Sequence, residues 1–414
     1  MRGLLAIILA GLILAGCQTR LGQNVGGETT RYESVYPLYA ELCAASQFRK
    51  RPDYPPPIEG GGFGGHSVLY LNGVCRVKDA HYPVIALCDK KDGVGLSVNA
   101  HYKNTNWVAT EGRDFFFGGD LKPGERLTKQ AYDETVARAE AMGILDGVVF
   151  HDTVFRDKPA GTSLRDYMYQ VSLGTDYALS YARDRYCARI PLSRDQMQKV
   201  VTYLNDINTP YRSGAKSYRW NVVKDNCNHL SHNALAVAGI WKPWPTHRPL
   251  IRAAFSFPVP KNEFVNLIWR TNNGPIDLET LYADPIARRA LLSENEATTQ
   301  PGGLAVLSRM VTDNEIYDPD VELIFYDDPV LGPYERRFRR LQTEARYSDL
   351  RANLGHFSEL YRAISASRKP LSWHLAHMKD KSPAERDDFA TVYTRYYGYI
   401  ERQRAKVDRA LTQP

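Results

Sequence analysis

Residues 218–240 read YRWNVVKDNCNHLSHNALAVAGI, an order of residue types that describes a strand, a turn and a helix. Residues 218–224 mix aromatic and β-branched side chains and predict a short strand. Asp225 and Asn226 are both helix-capping types. Beyond them Leu230, Ala234, Leu235, Val237 and Ala238 recur at helical spacing, and Gly239 and Pro243 end the helix. Cys227 therefore stands at a helix N-terminus. There a thiol feels the positive end of the helix dipole, which favours the nucleophilic thiolate. The unspent backbone N–H groups of a first turn can receive an oxyanion. Such a thiol needs a base, almost always histidine, and spacing alone does not name it.

Working towards the N-terminus, Ser193 and Gln196 form a capping box that starts a helix carrying Met197, Val200, Val201 and Leu204 on one face. Residues 186–192 (YCARIPL) predict a strand, and residues 163–185 and 128–143 predict helices, the second closed by Gly143. From His66 to Thr110 the runs HSVLYL, VCRV, PVIALC, VGLSVNAH and NWVAT are short, β-rich and separated by turn residues. Before them RPDYPPPIEGGGFGG is an irregular loop, and residues 35–50 predict a short helix. Past about residue 260 charged helical segments dominate, with VELIFY (321–326) the strand-like exception. The last helix opens on Ser382, Pro383 and Glu385 and buries Phe389, Val392, Tyr393, Tyr396 and Ile400.

The segment 226–240 resembles the nucleophile segment of circularly permuted papain-like thiol hydrolases. Among these are the PPPDE peptidases (Asn-Cys-Asn-His-Phe) and the lecithin retinol acyltransferase group (Asn-Cys-Glu-His-Phe), relatives of the NlpC-type cell-wall endopeptidases. In the permuted members a histidine strand precedes the cysteine helix. Gly65-His66-Ser67-Val68-Leu69-Tyr70 resembles that strand, and Phe115-Phe116-Phe117-Gly118-Gly119 the aromatic-glycine stretch that follows it. The resemblance covers roughly residues 60–245. This chain departs from it in Leu230, where phenylalanine is usual, and in long insertions between the motifs. The resemblance implies an α+β fold: a permuted papain-like domain over 35–261, its antiparallel sheet packed on the nucleophile helix, then a mainly helical C-terminal region over 262–414. It also implies Cys227 as nucleophile and His66 as general base and acid. A third polar residue normally orients the histidine; His81, Asn99 and His101 are candidates, with His101 preferred because it ends a β-like run. Asn226, Asp225 and His229 complete the neighbourhood of the nucleophile. Asp225 is read as helix-capping and His229 as packing near the thiol. His229 and His232 lie three apart, but two nitrogens fall short of the three or four ligands zinc takes, so no metal is expected and no cofactor either. GGGFGG lacks the Gly-Lys-Ser/Thr of a phosphate loop and reads as a flexible rim.

The chain begins with Met1-Arg2, and residues 4–14 are almost wholly apolar, a signal-peptide pattern too short to span a bilayer. Leu14-Ala15-Gly16-Cys17 resembles the lipobox of bacterial lipoproteins. The resemblance implies a leader over 1–16, lipid on Cys17 and, with Gln18 rather than aspartate next, an outer-membrane address facing the periplasm. Residues 17–34 read as a flexible tether. Removing Arg2 with the leader lowers the formal charge from +6 to +5. Basic and acidic residues are interspersed, and no nucleic-acid module is visible. Five cysteines follow Cys17, and in an oxidising compartment four of them pair. Cys75 and Cys88 lie on two runs that can form a hairpin, which pairs them and leaves Cys43 for Cys187 and Cys227 as the odd thiol; four cysteines allow three connectivities.

These features give a leading expectation of an envelope-anchored cysteine hydrolase, an amidase or peptidase acting on peptidoglycan peptides. The alternatives are an acyltransferase or lipid esterase with the same dyad, and a catalytically inactive envelope scaffold. The expected partners are the membrane, through the lipid, and a peptidoglycan or envelope-lipid substrate, with no nucleic acid.

Overall fold

The β-rich runs from His66 to Thr110 do form strands, and they supply three of the six strands of one antiparallel sheet and a separate two-stranded ribbon in the computed structural model. The structure describes residues 27–54, 59–60, 65–78, 80–90, 92–221, 225–246, 259–294, 299–319 and 334–412. The leader, Cys17, most of GGGFGG and VELIFY lie outside these residues. The strands are β1 Tyr39–Ala45, β2 Phe48–Arg49, β3 Glu59–Gly60, β4 His66–Asn72, β5 Val74–Arg76, β6 Ile85–Leu87, β7 Gly93–Ser97, β8 Val108–Glu111, β9 Arg185–Pro191 and β10 Leu304–Ser308. The main sheet has the order β10-β9-β1-β4-β7-β8, antiparallel throughout. β2 pairs with β3, and β5 with β6, as separate ribbons.

The helices are α1 Gly27–Val35, α2 Arg113–Gly118, α3 Lys129–Ala141, α4 Leu164–Ser172, α5 Arg194–Arg212, α6 Cys227–Val237, α7 Pro260–Asn273, α8 Leu278–Ala283, α9 Pro285–Glu294, α10 Tyr334–Thr343, α11 Leu350–Ala366, α12 Leu371–Ala376 and α13 Pro383–Thr412. Alternation along the strands sends Leu42, Leu69, Leu71 and Leu96 into one apolar cluster with Leu230, Ala234 and Leu235 of α6 and Phe264 and Ile268 of α7. Cys43, Val68 and Tyr70 belong to a second cluster with Phe116 of α2, Leu354 of α11 and Tyr396 of α13. Burial on both faces is why β1 and β4 are buried along their whole length. At Gly95 a Cβ would sit 2.1 Å from the Phe116 ring, so only glycine admits that helix so close to the sheet.

Several expectations hold. The capping boxes at Ser193 and Ser382 are formed. Cys75 bonds Cys88, Cys43 bonds Cys187, and Cys227 is free.

Others are corrected. Residues 35–50 are not a helix: Tyr39–Ala45 is a central strand between β4 and β9. Its Ala, Leu and Glu favour helix locally, but hydrogen bonding on both edges and burial of both faces override that preference. The tether expected up to residue 34 ends earlier, because α1 is a helix whose Tyr32 is fully buried under the Arg189 guanidinium. The helix expected over 163–185 stops at Ser172; Gly174 and Ala178 then take left-handed backbone angles and turn the chain into β9. Of the strand expected over 218–224, the described part carries only an isolated bridge, Asn221 to Asp225. The boundary expected at 261/262 falls inside α7, and β10 from the C-terminal region completes the sheet beside β9.

Candidate functional site

Asn226 rather than Asp225 is the N-cap of α6. Its Oδ1 accepts the Asn228 N–H at 3.0 Å and the His229 N–H at 3.2 Å, and lies 3.0 Å from His229 Nδ1. Two of the first-turn donors expected to be open to an oxyanion are thus engaged by the cap. Cys227, the first residue of the helix, is 7% exposed. One turn on, Ser231 Oγ donates to the Cys227 carbonyl and receives the Ser67 hydroxyl at 3.3 Å, which fastens α6 to β4.

The same fastening brings Cys227 Sγ to the Ser67 N–H, 3.4 Å away. Ser67 follows His66, so standard backbone geometry places Sγ within about 6 Å of His66 Cα. The imidazole itself turns the other way. Successive strand residues face opposite sides, and His66 lies with Val68 rather than with Ser67. Its Nε2 lies 3.0 Å from Ser97 Oγ on β7. The Ser97 hydroxyl donates to the Thr175 carbonyl at 2.7 Å, so towards His66 it can only accept. Neutral His66 therefore carries its proton on Nε2 and a lone pair on Nδ1. No hydrogen bond joins the imidazole to the thiol. Gly65, at φ 72°, turns the chain into β4 so tightly that a Cβ there would lie 2.3 Å from the Ala45 carbonyl oxygen.

Burial dominates both titrations. It holds His66 well below the usual histidine value, helped by the charge of Arg183 and opposed by the Thr175 carbonyl. It pushes the Cys227 thiol up, opposed by the N–H groups of Ser67 and Asn228 and by Arg183. The resting pair is thiol and neutral imidazole.

Ser97, not His101, touches His66. His101 packs beside Phe150, its ring 5.7 Å away, and its Nδ1 is buried without a partner. Asn99 donates to Asp176 Oδ2 at 3.0 Å and accepts the His101 N–H; neither bond reaches His66. Asp176 is fully buried, and that burial raises its carboxyl above the usual range. Tyr218 also faces the site: its hydroxyl is buried without a hydrogen-bond partner, and burial, then the charge of Asp225, pushes it well above the ordinary phenol range. Asp225 bonds Asn221 through both backbone groups. His232 shares no ligand geometry with His229, though both rings contact Trp244: the His232 ring stacks between Trp241 and Trp244, with Nδ1 2.6 Å from Glu263 and Nε2 2.8 Å from the Lys242 carbonyl. The described residues gather Glu41, Cys43 and Cys187 within ligand range of one another, but both sulfurs are spent in the disulfide and Glu41 is engaged by arginines.

Strand register is the signal that could have named Ser97. Alternation along VGLSVNAH puts Ser97 and Asn99 on one face, and the pairing of Val68 with Ser97 brings that face to His66. Arg183 and Asp176 leave no local signal, since a charged residue in a turn reads as solvated. No protein-family model, curated protein or solved structure matches this chain.

Proposed function

We propose that the chain is an envelope-anchored cysteine hydrolase that cuts an amide bond, with Cys227 as nucleophile and His66 as base, held by lipid on Cys17. The observation that carries this is the unpaired Cys227 at the start of α6, seated on the backbone N–H next to a histidine whose tautomer is fixed by Ser97. In the reacting state the imidazole has to leave Ser97 and cross to the thiol side of β4, a movement of the first strand residue next to Gly65 that would bring Nδ1, the basic nitrogen, towards Sγ. The imidazole takes the thiol proton as sulfur attacks the carbonyl carbon. The tetrahedral intermediate collapses, the amine leaves with that proton, and a thioester remains. Water, deprotonated by His66, cleaves the thioester to a carboxylic acid and restores the thiol. The anchor and the likeness to NlpC-type enzymes favour peptide stems or crosslinks of peptidoglycan as substrate.

The test is mass spectrometry of purified cell wall digested by the full chain and by Cys227→Ala. New muropeptides from the first and none from the second support the proposal; identical digests overturn it. A second reading, an inactive scaffold lipoprotein, is favoured by the engagement of His66 with Ser97 instead of the thiol, and identical digests would support it. The address is tested separately. Cys17→Ala should move the protein from the membrane fraction to the soluble one, and unchanged fractionation would remove the lipid from the proposal.

A further inference from the structure

The site contains a buried charge with no acid to balance it. Arg183 is 1% exposed. Its Nε donates to the Gly174 carbonyl at 2.6 Å, its Nη1 to the Ser46 carbonyl, and its Nη2 to Thr175 Oγ1 at 3.4 Å. All three acceptors are neutral, and the ring of Phe48 lies 4.4 Å from the guanidinium. Among the described residues no carboxylate comes within ion-pair distance of it. A buried cation without an anion is costly, and proteins rarely retain one unless something compensates it.

Its position says what the compensation is. Ser46 directly follows Ala45, which pairs with His66, and Ala44 pairs with Ser67, whose N–H meets Sγ. Thr175, which Arg183 touches through its hydroxyl, also receives the Ser97 hydroxyl that fixes His66. The guanidinium is therefore bolted beside the end of β1 that pairs with His66 and with Ser67, the residue whose N–H holds Sγ. The ionisable groups around it and the thiol are His66, Asp176, Tyr218, Asp225 and Tyr317. Asp176 gives one oxygen to Asn99, makes no ion pair with the guanidinium, and is raised by burial, which favours its neutral form; the tyrosine hydroxyls are held above their ordinary range by burial.

We propose that the Arg183 guanidinium is the built-in counter-charge of the Cys227 thiolate, a positioning residue of the nucleophile. This deepens the hydrolase proposal and rests on it. Papain-type dyads, by general chemistry, balance a thiolate with an imidazolium. Here the same fixed positive charge that favours the thiolate disfavours a charged His66, so His66 remains a neutral base while Arg183 supports the sulfur anion.

The experiment follows the alkylation of Cys227 by iodoacetamide against pH, on the full chain with its disulfides intact, with peptide mapping to separate Cys227 from Cys17. It reads thiol ionisation whether or not a substrate is known, so its failure is distinct from a failure of the cell-wall digest. Arg183→Gln should move the midpoint up by about one pH unit or more, making alkylation about tenfold slower below it. Arg183→Lys should restore most of the shift. Superimposed profiles for Arg183→Gln and wild type, both folded by thermal melting, overturn the proposal. Because Arg183 also bonds two carbonyls, its variants can fail to fold, and His66→Gln supplies an independent arm. If Arg183 is the counter-charge, the thiol midpoint stays in place without the histidine; an upward shift of a unit or more would assign the role to the imidazole and overturn the proposal.

Discussion

Two buried clusters of charge, one at the middle of β1 and one at its end, are built on opposite rules. At the middle, Glu41 is fully buried and receives Arg113 Nη2, which is shared between its two oxygens at 3.1 Å each, together with Arg189 Nε. Arg189 lies over the rings of Tyr32 and Tyr39, and Arg113 over those of Tyr70 and Phe117. The carboxylate has partners on both oxygens, and the cluster ties α1, β1, β9 and α2 together. At the end, Arg183 has no acid, the Tyr218 hydroxyl and one oxygen of Asp176 have no partner, and a free thiol is nearby. Satisfied polar groups hold a fold in one state. Unsatisfied ones store free energy that a reacting group or a ligand can release, which is why perturbed and orphaned groups gather at functional sites. What separates the two clusters is the acid: Arg113 has Glu41 although its Nε is unpartnered, whereas Arg183 has no carboxylate partner among the described residues, and both clusters are buried.

The contrast breaks most visibly at Glu41. Glu41→Gln leaves two guanidinium groups buried against a neutral amide, and removing one partner of such a pair costs about 3–5 kcal/mol. Urea unfolding at neutral pH should show that loss; a variant as stable as wild type would mean the triad is not a structural tie. Acid titration gives the same result without a mutation. The arginines hold Glu41 down to about 2 from an ordinary 4.5, against the opposing effect of burial. A carboxylate lowered by folding contributes stability that is complete above its unfolded value and vanishes as the pH falls through its folded value. The stability of wild type should therefore converge on that of Glu41→Gln between about pH 4.5 and 2.

At the other cluster the effect is on rate. Ser97→Ala removes the acceptor of the His66 Nε2 proton, freeing the ring and its tautomer while deleting one buried hydroxyl. Orienting partners of this kind are worth about 10- to 100-fold. We expect turnover of cell wall to fall by that factor with little change in KM and about 1 kcal/mol in stability. Unchanged turnover would show that the Ser97-bound position of His66 is not on the reaction path.

What could be read from the chain beforehand follows the range of the physics involved. The start of α6 is local chemistry, so Asn226 and Cys227 stand where capping rules put them. The Cys75–Cys88 ribbon is nearly local, and fixing it leaves Cys43 for Cys187 although 144 residues separate them. The strand beginning at His66 shows in its β-branched and aromatic run. Ser97 was out of reach because it is defined by the register of β7 on β4, and register is a property of two strands. β1 was misread because YAELCAA suits a helix when considered alone and becomes a strand only between β4 and β9. Arg183 was invisible for a related reason: nothing in Ala-Arg-Asp announces a guanidinium buried against the backbone of Ser46 and Gly174.

A smaller effect sharpens the pH side of the comparison. With burial raising the thiol and lowering the imidazole, the alkylation rate of Cys227 in wild type should climb only above the ordinary thiol range. It should show no step between pH 5 and 7, where an exposed histidine would titrate. A rate already on its plateau at pH 6 would mean that the resting pair is charged.

The smallest effect is expected at His101, the residue that sequence favours for orienting His66. Burial, and then the charge of His151, holds its ring at about 4, so it is neutral across the working range. A neutral ring with no bond to His66 has no route by which to orient it. His101→Gln keeps the backbone bonds to Asn99 Oδ1 and from the His151 N–H, and it removes a buried Nδ1 that had no partner to lose. Turnover should stay within about twofold of wild type and stability within about 1 kcal/mol, the range of a substitution that breaks no bond and opens little space. A hundredfold loss of turnover with the fold intact would mean that His101 reaches the dyad in the working state in place of Ser97, four residues before it in the chain. The Val68–Ser97 pairing makes the opposite assignment, so His101→Gln and Ser97→Ala form a matched pair in which only one should slow the reaction.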